Sequence, residues 1–301
     1  MKVLITGSRG FLGTELVKKL KRSGDEIVEC DILLGHDITK VDSIRKIFEE
    51  HKDIDSCVHL AAVSNLDIYD EDLKMGEDIN VLGTSYLIQL CDEYKVKLFV
   101  ASTCCLYGDN MLKISNEESK ISPTEAYASS KMMCEHLVDM HNQKCDDNFI
   151  NMRLATFYGG KYARGALCIS KFIEKMLAGD KIEIHGDGSM SRTYTHVLDM
   201  VSGIETLIKA GYESKLEYTT YNITRSTSYS VWDIVHEVSK HLDDGADIHI
   251  KLVKNRPRPF TQHTIESNRL KDLGWVPSFT WESGMKEAVS AYKNNGMKWL
   301  K

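Results

Sequence analysis

The chain has 301 residues, enough for one large or two average domains, and 42% hydrophobic with 27% charged residues suits a buried core with a solvated surface. Lys plus Arg is 38 and Asp plus Glu is 44, a net charge of −6, which argues against a general nucleic-acid or anionic-membrane binder. No apolar run approaches the roughly 18–20 residues of a membrane span, and four prolines without a low-complexity tract argue against a disordered linker.

Met1 and Lys2 lead straight into an apolar strand over residues 2–6, so no signal peptide is expected. Residues 11–22 follow as a helix with Leu12, Leu16 and Leu20 on one face, and 26–30 as a second strand. Val41, Ile44, Ile47 and Phe48 have helical spacing after a cap expected at Thr39. Strands at 55–60, 97–101 and 149–154 then alternate with helices at 81–94 and 125–141. Such alternation implies right-handed crossovers and a parallel sheet covered on both faces. Beyond residue 158 the pattern loosens, with short strands at 181–185 and 248–253. The expected fold is α/β: a doubly wound, Rossmann-type parallel sheet over residues 1–158 and a smaller C-terminal α/β lobe over 159–301, with segments free to interleave.

The first strand runs into Gly7-Ser8-Arg9-Gly10-Phe11-Leu12-Gly13 at the start of a helix. Glycines there let the backbone turn tightly and approach a pyrophosphate seated on the helix N-terminus. Asp31 ends the second strand, eighteen residues past Gly13, where a carboxylate accepts hydrogen bonds from an adenosine ribose and repels a 2′-phosphate. NAD is therefore the expected cofactor, although a guanidinium at Arg9 can reach a 2′-phosphate and speaks for NADP. Asp37 and Ile38 are candidates for the adenine edge. Leu60, Ala61 and Ala62 end the third strand with small residues where a cofactor must pass closely.

Tyr127 and Lys131 stand at i and i+4 on one helix face. A cation beside the phenol is expected to lower its pKa toward working pH and make it a general base or acid. Lys131 can also hold the nicotinamide ribose. The fourth strand ends in Ala101-Ser102-Thr103-Cys104-Cys105-Leu106-Tyr107-Gly108, which puts a hydroxyl at the carboxyl end of the sheet, where ligands of such folds bind.

Together these segments resemble the extended short-chain dehydrogenases/reductases, specifically the NAD-dependent epimerase/dehydratase family acting on nucleotide sugars. Asn80-Val81-Leu82-Gly83-Thr84 is similar to the family's NVxGT helix. Residues 102–108 are similar to its S-[ST]-x-x-x-Y-G segment, and Gly186-Asp187-Gly188 through Arg192 and Asp199 to its GDG…R…VxD stretch. Leu273-Gly274-Trp275-Val276-Pro277 resembles its LGWxP. The resemblance implies Thr103, Tyr127 and Lys131 as catalytic residues, and Arg192, Arg256 and the loop at Thr156 as contacts of a nucleotide-diphosphate sugar. Thr156 stands where the family usually has Asn, and Gly160 where it usually has Pro.

The implied reaction is transient oxidation at sugar C4 by NAD, with Tyr127 as base. In the family's 4,6-dehydratases an Asp-Glu pair follows the catalytic threonine. Here the two positions are Cys104 and Cys105, so an epimerase is expected over a dehydratase. An NADP-dependent 4-keto-sugar reductase and a non-catalytic dinucleotide-sensing scaffold are the alternatives. A homodimer through helices 81–94 and 125–141 is implied by the resemblance, and Met132, Met133, Leu137 and Met140 add more apolar surface than one core-facing stripe needs. The eight cysteines form no CxxC pair and read as reduced thiols of a cytoplasmic protein. There is no HExxH, and His136 and His141 lie five apart, so no metal site is expected.

Overall fold

The structure is a computed structural model, which describes residues 1–109, 114–145, 149–160, 167–242, 247–255 and 264–295. Its first part runs β1 (Lys2–Thr6), α1 (Phe11–Arg22), β2 (Glu26–Cys30), α2 (Val41–Glu50), β3 (Ser56–His59), α3 (Leu66–Glu71), α4 (Leu73–Glu77), α5 (Gly83–Tyr94), β4 (Lys97–Thr103), α6 (Ala126–Asn142) and β5 (Ile150–Leu154). It continues through β6 (Thr156–Tyr158), α7 (Cys168–Ala178), β7 (Ile182–His185), β8 (Ser191–His196), α8 (Val197–Tyr212), β9 (Thr220–Ile223), β10 (Ser228–Ser230), α9 (Val231–Ser239), β11 (Ile250–Val253), α10 (Asn268–Asp272) and α11 (Trp281–Asn295).

The main sheet is parallel throughout, in the order β2-β1-β3-β4-β5-β9. Its inner strands are buried on both faces, with successive side chains packing to opposite sides. Val3 and Ile5 of β1 join Leu12, Leu16 and Leu20 of α1 and Met200, Ile204 and Leu207 of α8 on one face. Leu4 points the other way, to Ile44, Ile47 and Phe48 of α2 and Leu87 and Leu90 of α5. The strand order reverses between β1 and β3, so the turn after β1 opens at the crevice where such sheets bind ligands.

Residues 159–301 divide between two bodies. α8 covers the main sheet and β9 extends it. Trp275 is buried in that same core and donates its indole N–H to Ser202 Oγ at 2.9 Å. The smaller lobe has its own core, with Ile169, Phe172 and Ile173 of α7, Ile234 and Val238 of α9, and Met285 and Val289 of α11. A three-stranded sheet, β10-β8-β6, and the β11-β7 pair complete it.

Two local expectations fail. Thr39 does not cap α2: its hydroxyl and N–H both go to Asp37 Oδ1, and the helix starts after Lys40 without a side-chain cap. The helix expected at 81–94 has a different start, because a π-helical turn, Asp78–Leu82, joins α4 directly to α5. π-turns of this kind recur at functional sites, and this one carries Asn80.

Candidate active site

The glycine turn closes against the end of β3. A Cβ on Gly7 would lie 2.7 Å from the Ala61 nitrogen, and one on Gly13 would lie 2.1 Å from the Gly7 carbonyl oxygen, so neither position admits a side chain. Gly10, Phe11 and Leu12 open α1, whose N-cap Gly10 makes no side-chain cap bond, leaving helix N–H groups for an anion. Ser8 is buried, and its hydroxyl has no hydrogen-bond partner among the described residues. A buried orphan hydroxyl beside a side-chain-free cradle fits a pyrophosphate.

Asp31 is buried at the tip of β2 and accepts from Arg9 N at 2.9 Å and Leu33 N at 3.0 Å. A carboxylate has about four acceptor sites, so two remain for ribose hydroxyls. Arg9 turns its guanidinium to Glu29 at 3.1 Å, and Glu29 also takes Lys21 at 3.0 Å. A 2′-phosphate would meet Asp31 and would have to displace Glu29, which settles the ambiguity of Arg9 in favour of NAD. Asp37 is committed to its own turn through Thr39 and Lys40, and Ile38 is buried against Gly83.

Thr103 ends β4 and accepts from Cys105 N at 3.1 Å, and its hydroxyl lowers the pKa of the Tyr127 phenol. The two expected hydroxyls thus lie near each other at the carboxyl end of the sheet. Lys131 behaves differently from expectation. Its ammonium is buried and donates to the Ala101 carbonyl at 2.8 Å, and burial lowers its pKa. The Tyr127 phenol is pushed up, by burial first and then by the Cys105 thiol, with Thr103 as the group that lowers it. The expected lowering of Tyr127 by Lys131 is therefore reversed here: desolvation of the phenolate dominates, and the lysine cation is turned to a carbonyl.

A buried polar chain holds the pair in place. Asn80 accepts from Val63 N at 2.8 Å and donates to Val63 O at 3.2 Å and Ser130 Oγ at 3.1 Å. Ser130 donates in turn to the Tyr127 carbonyl at 2.8 Å. Thr84 donates to the Asn80 carbonyl at 2.6 Å and meets His59 Nε2 at 3.1 Å, while His59 Nδ1 lies 2.7 Å from Thr6 Oγ1. The ring of Tyr69 lies edge-on to Tyr127, with centroids 6.3 Å apart. Behind Thr103, Arg153 forms a buried pair with Glu135 at 2.7 Å and donates to Tyr107 Oη at 3.0 Å. His59, Tyr69 and Glu135 carry no motif spacing, and only the fold brings them to the site.

Thr156 and Arg192 share the small sheet, on β6 and β8. The Arg192 charge pulls the Cys105 thiol down, against burial, which pushes it up. Glu125, just before α6, also acts on that thiol and raises it. Gly160 has φ of +72°, closed to proline, and its N–H donates to Glu287 Oε2 at 3.0 Å. The loop's departure from the family pattern is thus a differently built turn. Arg256 lies outside the described residues.

The sequence profile of the NAD dependent epimerase/dehydratase family matches residues 3–224. The chain belongs to this family. It is 29% identical over 367 residues to a dTDP-D-glucose 4,6-dehydratase of Dictyostelium discoideum, an alignment covering 99% of this chain and 83% of the relative. Its fold is similar to that of Thermus thermophilus UDP-glucose 4-epimerase in complex with NAD, with a TM-score of 0.87, 22% identity, and 97% and 99% of the two chains covered. It is similar also to Bacillus anthracis dTDP-glucose 4,6-dehydratase in complex with NAD, with a TM-score of 0.85, 23% identity, and 99% and 98% covered. Family enzymes with either activity thus share this fold. No helix among the described residues is long and apolar enough to cross a membrane.

Proposed function

We propose that the protein is an NAD-dependent nucleotide-sugar epimerase working through transient oxidation at sugar C4. The observation that carries this reading is the pairing of Thr103 with the neighbouring Tyr127 phenol, with two neutral thiols following Thr103. Burial raises the pKa of Cys104 and of Cys105, so neither supplies a carboxylate-like acid at neutral pH.

Gly7, Gly10, Phe11, Leu12 and Gly13 with Ser8 would hold the pyrophosphate, Asp31 the adenosine ribose, and Leu60, Ala61 and Ala62 the near wall. NAD, when bound, supplies the hydride acceptor. The Tyr127 phenol, which burial keeps protonated, must first lose its proton; as phenolate it takes the proton of the sugar 4-hydroxyl, and Thr103 hydrogen-bonds the same oxygen and holds it in line. Lys131, fixed by the Ala101 carbonyl, brings a buried positive charge under the site and is placed to orient the nicotinamide ribose. Arg192 grips the diphosphate, with Thr156 as a neighbouring donor. Return of hydride to the other face of the ketone, with Tyr127 giving back its proton, completes inversion.

A dehydratase is the second reading. The relatives include 4,6-dehydratases, and the Glu125 charge acts on the Cys105 thiol, which makes Glu125 the candidate for the missing carboxylate. Incubating the enzyme with UDP-, dTDP- and GDP-hexoses separates the two by mass. An epimer keeps the substrate mass, whereas a product lighter by one water overturns the epimerase. Met133 and Met140 are exposed on α6 and support a homodimer through that helix and α5, to be read as mass in light scattering. None of the eight cysteines is in a disulfide, which supports a reducing, cytoplasmic setting.

A further inference from the structure

Asp92, His141 and Cys145 offer an oxygen, a nitrogen and a sulfur within 4.8 Å of one another, all half-buried. Asp92 sits in the last turn of α5, His141 in the last turn of α6, and Cys145 one helical turn beyond His141. Helices of a parallel α/β sheet run opposite to its strands. This cluster therefore lies at the edge of the sheet remote from Gly7, Thr103 and Tyr127. We infer that these three side chains form a divalent-metal site, with Zn²⁺ the ion it suits best.

Four observations carry the inference. The donor set is thiolate, imidazole and carboxylate, which selects zinc over the all-oxygen preference of calcium and magnesium. The geometry is close to formed: Cys145 Sγ is 3.8 Å from His141 Nδ1, against about 3.6 Å between sulfur and nitrogen on a tetrahedral zinc with ordinary bond lengths. The donors are held. The His141 ring stacks on Phe149 at 4.0 Å with planes 5° apart. Asn142, next to His141, clasps the Phe149 backbone, accepting its N–H on Oδ1 at 2.8 Å and donating Nδ2 to its carbonyl at 2.9 Å. Finally, the carboxyl ends of two helices converge here, and their partial negative charge favours a cation.

Lys95, exposed, now occupies Asp92 Oδ1 at 3.2 Å. Such surface pairs contribute little, so a doubly charged ion displaces it. On binding, Cys145 gives up its thiol proton to solvent and forms a sulfur–metal bond, His141 binds through Nδ1, and Asp92 through one oxygen, leaving a fourth position for water. The ion ties the ends of α5 and α6 together and takes no part in turnover. The expectation of no metal rested on spacing along one helix, whereas these donors come from two helices and a turn.

The test uses the full chain, stripped with a chelator and titrated with Co²⁺, then with Zn²⁺ in competition. The expected result is one equivalent bound with a thiolate-to-cobalt absorption band, displaced by Zn²⁺ with a Kd below about 1 μM. Cys145→Ser and His141→Ala should weaken binding by about 100-fold or more, since even outer partners of metal ligands contribute 10–100-fold. Sugar-nucleotide turnover should stay unchanged. Cys168→Ser, which removes an exposed thiol elsewhere, should keep the band. Asp92→Asn, on a half-buried side chain at the helix end, serves if the His141 variant does not fold. Absence of the band at one equivalent, its survival in Cys145→Ser, or its loss in Cys168→Ser overturns the site.

Discussion

His59 makes the stability of this protein depend on pH in a calculable way. Its ring is 1% exposed, and burial, with the nearby Lys131 charge, holds its pKa down to about 3 from 6.5. The neighbours fix the neutral form. Thr84 spends its hydroxyl proton on the Asn80 carbonyl, so His59 Nε2 must carry the hydrogen toward Thr84 and Nδ1 must accept from Thr6. A proton on Nδ1 would face a hydroxyl now donating to it. In the unfolded chain the imidazole titrates near 6.5. Below that pH the unfolded state binds more protons than the folded one. The stabilisation is thus complete above about pH 6.5 and is lost as pH falls toward 3. Between pH 7 and pH 5 the linkage relation gives a loss of about 2 kcal/mol from this residue. Urea unfolding followed by tryptophan fluorescence at both pH values measures it. His59→Gln should be less stable at pH 7, yet lose about 2 kcal/mol less than the parent on going to pH 5. Equal losses in the two proteins would refute a buried neutral His59.

Tyr127→Phe should cut turnover by roughly 10²–10⁴ while leaving the melting temperature nearly unchanged, because general acid–base catalysis contributes about that much; a fall under threefold at saturating substrate would remove Tyr127 as the base. Gly13→Ala places a methyl 2.1 Å from the Gly7 carbonyl oxygen and should weaken NAD binding in calorimetry more than tenfold, as a shift of about 1.4 kcal/mol suffices for that factor, even though alanine favours the helix itself. Arg192→Ala should weaken sugar-nucleotide binding and leave NAD binding alone; equal loss of both would mean misfolding.

The sheet and its flanking helices were legible because each has a strong period. The leucines of α1 recur every four residues and all three are buried. β1 and β4 are short runs of apolar residues bounded by polar turns. The smaller lobe was legible only in part. β8 reads Ser-Arg-Thr-Tyr-Thr-His, without an apolar alternation, because its stability comes from pairing with β6 and β10. The π-turn was hidden for the opposite reason: Gly76 and Asp78 break the apolar period inside a stretch that stays helical, since Gly76 must pass within contact of the Tyr69 ring.

At the site, the residues that carry motifs are separated by few positions or by one crossover, so spacing finds them. Their electrostatics depend on partners that spacing does not reach. The two thiols after Thr103 show the difference. In sequence they are a pair replacing Asp-Glu, but their surroundings differ. Cys104 is 1% exposed and donates to the Arg153 carbonyl at 3.3 Å, in the core shared with Tyr107, which removes it from substrate chemistry. Cys105 feels Thr103, Arg192 and Glu125, and burial with the Glu125 charge outweighs the other two and keeps it protonated. Glu125 is 22 positions from Thr103 and reaches this neighbourhood only because α6 returns along β4. Water elimination needs an acid beside the leaving hydroxyl. A dehydratase built on this chain would have to move that acid from the strand end to the start of the helix that carries Tyr127. An epimerase asks for nothing beyond Thr103, Tyr127, Lys131 and a substrate able to turn over.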